Sequence, residues 1–151
     1  MELSFTKMQG TGNDFVVIDA TKKPFSLSTD TIRSLADRRY GIGFDQMLVV
    51  QPDETGQADF CYRIFNADGG EIAMCGNGAR CFALYVRSHG LTQKDRIRVR
   101  TMSGIITPEI LSDRTVRVDM GCPNFCPKNV PFNPESFESV SRKDAVLYRT
   151  K

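Results

Sequence analysis

The sequence predicts an α+β fold in which a sheet curls around one central helix. Short apolar or alternating segments recur along the chain, as is typical of strands. One stretch, residues 79–89, is compatible with a helix, and its apolar residues occupy most of the helical circumference. Such a helix is usually enclosed by other structure, so we expect the strands to wrap around it.

The strands of the first half follow from the apolar pattern. Residues 3–8 alternate apolar and polar side chains, whereas residues 15–18 are continuously apolar. A half-buried strand and a more buried strand are therefore expected, joined by a tight loop at residues 10–14. Two further strands are predicted at residues 47–50 and 59–65.

Two helices are predicted from their start and stop signals. Ser28 or Thr29 can cap a first helix that runs to about Arg39, where a glycine follows as its stop. The central helix is placed near residues 76–89, and Gly90 suits its C-terminal stop.

Beyond the central helix, three strands are predicted to form a meander. They cover residues 96–101, 105–110 and 115–119. The tail from Gly121 is rich in proline and asparagine and loses its periodicity, so we expect an extended connection there. The prediction is one domain over residues 1–120, then a connecting segment and the start of a second domain over 121–151.

Composition excludes several classes of function. With 40% hydrophobic residues, 25% charged residues and a net charge of +2, the chain is typical of globular proteins and gives no reason to expect nucleic acid. The basic cluster at residues 94–100 is interpreted as one face of a strand. No apolar run approaches a membrane span, and the amino terminus lacks a signal-peptide core. We therefore expect no membrane association and a cytoplasmic location.

The five cysteines are expected to be reduced, because an odd number without an export signal argues against a disulfide framework. Cys61 lies in an alternating strand and Cys81 in the apolar part of the central helix, so both are interpreted as core residues. Cys122 and Cys126 could form half of a metal site. There is no second cysteine pair, however, and His89 is distant in sequence, so we expect no metal.

Cys75 has a physical reason to be reactive. It precedes the Gly-Asn-Gly that opens the central helix, where unpartnered N–H groups and a positive dipole favour a thiolate. Gly76 and Gly78 would let a carboxylate approach the backbone amides. On spacing alone, a buried core cysteine fits equally well. A cysteine hydrolase is disfavoured, because its activating histidine could only be His89, at the far end of the helix.

Four blocks of the sequence closely resemble diaminopimelate epimerases. They follow the family's order, and the resemblance extends over residues 3 to about 120. The blocks are FTKMQGTGNDFVVID at 5–19, ADRRYGIGFDQ at 36–46, YRIFNADG at 62–69 and MCGNGARC at 74–81. One departure is Gln9, where the family usually has histidine, but the Gly-Asn-Asp that follows in the same loop is intact.

The resemblance implies an enzyme of two pseudo-symmetric halves, each a β-barrel-like sheet around a central helix, with diaminopimelate bound between them. It implies epimerisation of LL- to meso-diaminopimelate, a precursor of lysine and peptidoglycan. One thiolate removes the α-proton, and a second thiol returns a proton on the opposite face, without pyridoxal phosphate, metal or another cofactor. Helix N-termini would stabilise the charge that develops on the α-carboxylate.

The family's site residues correspond to matching positions of this chain. Cys75 matches the catalytic thiol of the first half. The substrate-binding positions are Asn13, Gln46, Asn66, Gly76 and Asn77, the last two through their backbone. Without the resemblance, Asn13 and Asn66 fit ordinary turns, and Gln46 fits a strand edge.

The resemblance covers only the first half of the family. The second cysteine, with a glutamate and an arginine for the distal end of the substrate, would lie in the other half. We expect this chain alone to be inactive while it keeps a reactive Cys75. The alternatives are a proline racemase-like or phenazine-biosynthesis isomerase, and a non-catalytic half acting as a dimerisation or binding module. An exposed face between the halves could drive self-association into a homo-oligomer.

Overall fold

The computed structural model describes residues 3–124, 126, 129, 133, 138–142 and 145–149. The chain divides into two compact units, Met1–Asp119 and Met120–Lys151. The described elements of the first unit are β1 (Thr6–Gly10), β2 (Asn13–Asp19), α1 (Thr29–Ala36), β3 (Gln46–Pro52), β4 (Phe60–Asn66), β5 (Glu71–Ile72), α2 (Gly76–Ser88), β6 (Val99–Thr101), β7 (Gly104–Ile106), β8 (Glu109–Ile110) and β9 (Val116–Arg117).

Seven strands of the first unit form one sheet in the order β1-β2-β3-β4-β6-β7, with β5 paired to β4. β2 and β3 are parallel and are connected through α1, whereas β1–β2 and β3–β4 are antiparallel. β8 and β9 form a separate pair. Two helices with a mixed sheet confirm the predicted α+β class. β1 and β7 end this sheet, so it is open among the strands that the structure describes.

β2 and β3 are buried on both faces, which explains their continuous apolar sequences. Alternate residues, such as Val17 and Leu48, pack in the core that contains α2. The residues between them, such as Val16 and Met47, pack in the core that contains α1. α2 also contacts β8 and β9, so strands of the first unit enclose it on more than one side. The helix predicted to be enclosed is therefore α2.

The first helix differs from the prediction at its end. Ser28 caps α1, and its hydroxyl accepts a hydrogen bond from the backbone N–H three residues later at 3.2 Å. The helix ends at Ala36 rather than near Arg39. The Asp37 carboxylate accepts hydrogen bonds from the N–H groups of Arg39 and Tyr40, which turns the chain away from the helix axis. No helix in the described ranges is long and apolar enough to cross a membrane.

The predicted meander is more broken than its sequence pattern suggests. The strand expected over residues 105–110 is split into β7 and β8, because Pro108 between them has no N–H to donate. The strand expected over residues 96–101 is reduced to β6 and one isolated bridge between Arg96 and Glu109.

In the second unit, β10 (Glu138–Arg142) and β11 (Ala145–Arg149) form an antiparallel hairpin. The sequence pattern predicts only an extended connection there, and three of the prolines behind that expectation, at positions 127, 131 and 134, lie outside the described residues. That this unit begins a further domain stays a prediction.

Candidate active site

Three of the predicted site residues lie along one edge of the main sheet. The parallel strands β2 and β3 begin at Asn13 and Gln46, and the antiparallel strand β4 ends at Asn66. In the sheet register, Gln46 lies beside Phe15 and opposite Asn66. The polar ends of three adjacent strands therefore meet at the same edge.

Cys75 is the N-cap residue of α2. Its backbone is extended, with φ −145° and ψ 114°, and its Sγ accepts a hydrogen bond from Gly78 N at 3.3 Å. The side chain is half-buried. Gly76 opens the helix, and the N–H groups of this first turn have no acceptor within the helix. A sulfur at this position faces N–H donors and the positive end of the helix dipole, and both stabilise an anion.

Asn77 connects the start of α2 to the loop between β1 and β2. Its Nδ2 donates to Asn13 Oδ1 at 2.8 Å, and Asn13 Nδ2 donates in turn to Asp45 Oδ2 at 3.3 Å. Arg80, one turn along the helix, donates to Asn77 Oδ1 and to Thr11 Oγ1. These bonds fix both asparagine amides in one orientation. The structure thereby brings Asn13, Asn77 and the cap residue Cys75 into one cluster.

Asp45 and Arg38 support this cluster, although the sequence alone does not identify either residue. Arg38 donates to Asp14 Oδ2 at 2.6 Å and to Asp45 Oδ1 at 2.9 Å. The Arg38 guanidinium lowers the pKa of Asp14, and the backbone N–H of Asp14, followed by the Asn13 amide, lowers that of Asp45. Both carboxyls are therefore held as anions. The only sequence signal for these residues was that Asp14 lies in the family-like block 5–19, and Arg38 and Asp45 lie in the block 36–46.

Gln46 and Asn66 form a direct cross-strand pair. Gln46 Nε2 donates to Asn66 Oδ1 at 2.9 Å. Gln46 Oε1 is buried and has no hydrogen-bond partner among the described residues. A buried acceptor without a partner is costly in free energy unless a ligand or water satisfies it. Gln46 Oε1 is therefore an acceptor that the described protein groups leave unsatisfied.

The other cysteines have different surroundings. Cys81 is buried, and its thiol lies 3.6 Å from the carbonyl oxygen of Gln9. Cys61 is half-buried in β4, where burial raises the pKa of its thiol. Cys122 and Cys126 are exposed. No cluster of ligating side chains suited to a metal ion occurs among the described residues.

Comparison with protein families decides the assignment. The family model for diaminopimelate epimerase matches residues 5–126. The chain belongs to the diaminopimelate epimerase family. This membership agrees with the four sequence blocks and favours diaminopimelate epimerase over the related isomerases considered as alternatives.

Curated diaminopimelate epimerases match nearly the whole chain. The enzyme from Laribacter hongkongensis is 52% identical over 98% of this chain and 51% of its own length. The enzyme from Nitrosomonas europaea is 60% identical over 87% of this chain and 48% of its own length. The chain thus spans about half the length of the curated diaminopimelate epimerases that it matches.

Solved structures share the fold at low sequence identity. A methylitaconate-delta-isomerase superposes with a TM-score of 0.57 at 14% identity, covering 98% of this chain and 83% of its own. A hydroxyproline epimerase from Agrobacterium vitis gives 0.56 at 14% identity, covering 76% and 40%. A phenazine biosynthesis protein from Bacillus anthracis gives 0.54 at 21% identity, covering 77% and 38%. At these identities the similarities show that this chain shares its fold with the three proteins.

Proposed function

We propose that this chain supplies one half of the active site of a cofactor-independent diaminopimelate epimerase, with Cys75 as one of its two acid–base thiols. The observation that carries the proposal is the position of Cys75 as the cap of α2, with its sulfur accepting the Gly78 N–H at 3.3 Å. The other cysteines of the chain lack such a position. Family membership supplies the substrate, and the cap position supports the chemistry.

In the proposed reaction, two thiols carry out both proton transfers. The Cys75 thiolate takes the α-proton of LL-diaminopimelate and becomes a thiol, leaving the electron pair on the α-carbon and its carboxylate. A thiol in the other half then gives a proton to the opposite face, which yields the meso isomer. The amides of Gly76 and Asn77 in the first turn of α2 would hold the carboxylate as its negative charge grows.

We assign substrate binding to Asn13, Gln46 and Asn66 as well. The lone Oε1 of Gln46 supports this assignment, because a substrate ammonium group would satisfy it. Asn13 already uses one amide hydrogen and one oxygen lone pair on its neighbours, which leaves one of each for a ligand. The assignment of these residues thus depends on donors and acceptors that the fold leaves open.

The same proposal extends to the architecture and the compartment. We propose that the open edges at β1 and β7 are closed in a complete enzyme by strands of the second half, giving the barrel-like halves of the family. Thiol acid–base chemistry also requires reduced cysteines, and those of this chain are free. A reducing compartment such as the cytoplasm suits that requirement.

The test is complementation in deuterated water. The chain would be mixed with a separately produced second half of the Nitrosomonas europaea relative, and exchange at the α-carbon of LL-diaminopimelate would be followed by NMR. We expect exchange with the mixture and none with the chain alone. The Cys75→Ala variant should abolish exchange, whereas the matched Cys81→Ala variant should retain it. LL-to-meso turnover by the chain alone, or equal losses in both variants, would contradict the proposal.

Labelling gives an independent readout of the half-site. An aziridine analogue of diaminopimelate, followed by peptide mass mapping of the mixture, should modify Cys75 in preference to the exposed Cys122 and Cys126. Absence of labelling at Cys75 would instead indicate an inert binding module.

A further inference from the structure

The hydroxyl group of Tyr62 is buried without a partner. Tyr62 lies in β4 with 2% of its surface exposed, and its ring packs 4.7 Å from the ring of Phe82 on α2. The hydroxyl makes no hydrogen bond within the described part of the chain. Buried tyrosine hydroxyls normally find a partner, so this one requires an explanation.

The hydroxyl reaches the first turn of α2, next to Cys75. A methyl group at Gly78 would overlap the Tyr62 oxygen and would lie 3.5 Å from Cys75 Cβ. Gly78 is also the residue whose N–H donates to Cys75 Sγ. Tyr62, Gly78 and Cys75 therefore share one corner between the sheet and the helix, and the absent side chain of Gly78 is what admits the hydroxyl.

We infer that Tyr62 is a positioning residue for Cys75: when the thiol ionises, the Tyr62 hydroxyl moves into hydrogen-bond distance of the sulfur and donates to it. This inference rests on the proposed function of Cys75. The thiol proton leaves to solvent or substrate, the sulfur becomes an anion, and the Tyr62 O–H bond stays intact. The Cys75 sulfur thus changes from a weak hydrogen-bond acceptor into a strong one, and the Tyr62 hydroxyl then has an acceptor.

The electrostatics of the corner keep Tyr62 in the donor form. Burial raises the pKa of Tyr62 well above its ordinary value, and the neighbouring Cys75 and Cys81 sulfurs shift it further in the same direction. Tyr62 cannot then act as a base or compete with Cys75 for the substrate proton. Its role is confined to stabilising the anion beside it.

Tyr85 provides a matched comparison. It belongs to the same core as Tyr62 and is 5% exposed, but its hydroxyl lies beside the polar side chain of Thr6, which lowers the pKa that burial raises. A hydroxyl retained only for packing or stability would be expected to have such a partner. The unpartnered oxygen of Tyr62 is therefore better explained by the changing charge of Cys75.

The test compares alkylation of Cys75 in three full chains: wild type, Tyr62→Phe and Tyr85→Phe. Iodoacetamide would be applied across the pH range in which thiols ionise, and each cysteine would be quantified by peptide mass mapping. We expect Tyr62→Phe to shift the Cys75 profile to higher pH and slow its alkylation about tenfold at neutral pH. Tyr85→Phe should leave the profile unchanged, and the exposed Cys122 serves as an internal reference in all three chains.

The outcomes separate this inference from the proposed function. If wild-type Cys75 reacts no faster than Cys122, the proposed function of Cys75 fails. If wild-type Cys75 is reactive and Tyr62→Phe has the same profile, the role of Tyr62 is refuted. An NMR measurement on the wild-type chain does not depend on the folding of Tyr62→Phe. The NMR signal of carbon-13-labelled Tyr62 should change over the pH range in which Cys75 ionises, and this change should be absent in Cys75→Ser. A Tyr62 signal that does not respond to the ionisation of Cys75 would also overturn the inference.

Discussion

The two ends of α2 differ in how well their polar groups are satisfied by hydrogen bonds within the protein. At the C-terminal end, the polar groups find protein partners: Ser88 Oγ donates to Tyr85 O at 3.1 Å and the His89 N–H donates to the same oxygen at 3.0 Å. The His89 ring stacks on that of Tyr85 at 4.0 Å. This end is typical of a helix that anchors a core.

At the N-terminal end of α2, the residues present stabilise the helix less than other residues would. The cap is a thiol where a hydroxyl or carboxylate would serve better, and the first turn contains Gly76 and Gly78. The Tyr62 hydroxyl next to it has no partner. The difference teaches that one helix can divide its tasks: its C-terminal end is hydrogen-bonded within the core, and its N-terminal end is arranged for the chemistry that we propose for Cys75.

Cys75→Ser should produce the largest difference between the two ends. Alkylation at position 75 disappears, because a serine hydroxyl does not ionise in the accessible range. The free energy of unfolding should change by only about 0.5 kcal/mol, because serine is a better N-cap than cysteine. Mass mapping and urea unfolding measure the two effects. A large loss of stability would mean that the thiol is a structural residue.

Gly78→Ala tests the close packing at the N-terminal end of α2. The new methyl group overlaps the Tyr62 hydroxyl and approaches Leu48 Cδ2 to 3.2 Å. We expect a loss of about 2 kcal/mol in urea unfolding, despite the better helix propensity of alanine. Adding Tyr62→Phe should restore part of that loss, because the oxygen is removed. Additive effects of the two changes would contradict the shared corner.

Phenylalanine substitutions at the two tyrosines should have smaller effects on the free energy of unfolding, and the two effects should differ. Tyr85→Phe should lower the free energy of unfolding by about 1 kcal/mol, because it removes a hydroxyl that has the polar side chain of Thr6 beside it. Tyr62→Phe should leave it unchanged or raise it, because the lost hydroxyl has no partner. Equal losses, measured by urea unfolding at neutral pH, would erase the proposed difference between the two ends.

The smallest expected effect is a change at acid pH in the hydrogen-bond network around Asp14 and Asp45, near the N-terminal end of α2. The pKa values of Asp14 and Asp45 are lowered in the fold, so their stabilisation is complete above their ordinary pKa of about 4 and is lost as the pH falls below it. The side-chain amide signals of Asn13 and Asn77 should then shift on acidification, while signals of Tyr85 stay constant. In Arg38→Gln the Asn13 shift should begin at higher pH; an unchanged titration would argue against the network.

The sequence predicted what depends on local pattern. α2 begins at the glycine-rich turn and carries its apolar residues as expected, and Ser28 caps α1. The end of α1 was missed because it depends on the Asp37 side chain, which competes with the helix for backbone N–H groups.

The supporting residues of the site could not be predicted in the same way. Arg38 bonds Asp14, which is 24 positions away, and nothing in the spacing of the two residues indicates that contact. The corner occupied by Tyr62 depends on the register of β4 beneath α2. Resemblance to a family located Gln46 and Asn66, but their direct hydrogen bond became evident only from the pairing of β3 with β4.

The hydrogen bond between Asn77 and Asn13 also bears on how the protein folds. It closes a loop of 64 positions, and the chain between its ends contains β2, α1, β3, β4 and β5. Contacts of such long sequence separation form after the local ones, because the chain must first lose the entropy of the loop. On the ribosome, the amino-terminal hairpin emerges well before its helical partner. We therefore expect the cluster of Asn13, Asn77 and Cys75 to be among the last parts of the chain to reach its native structure.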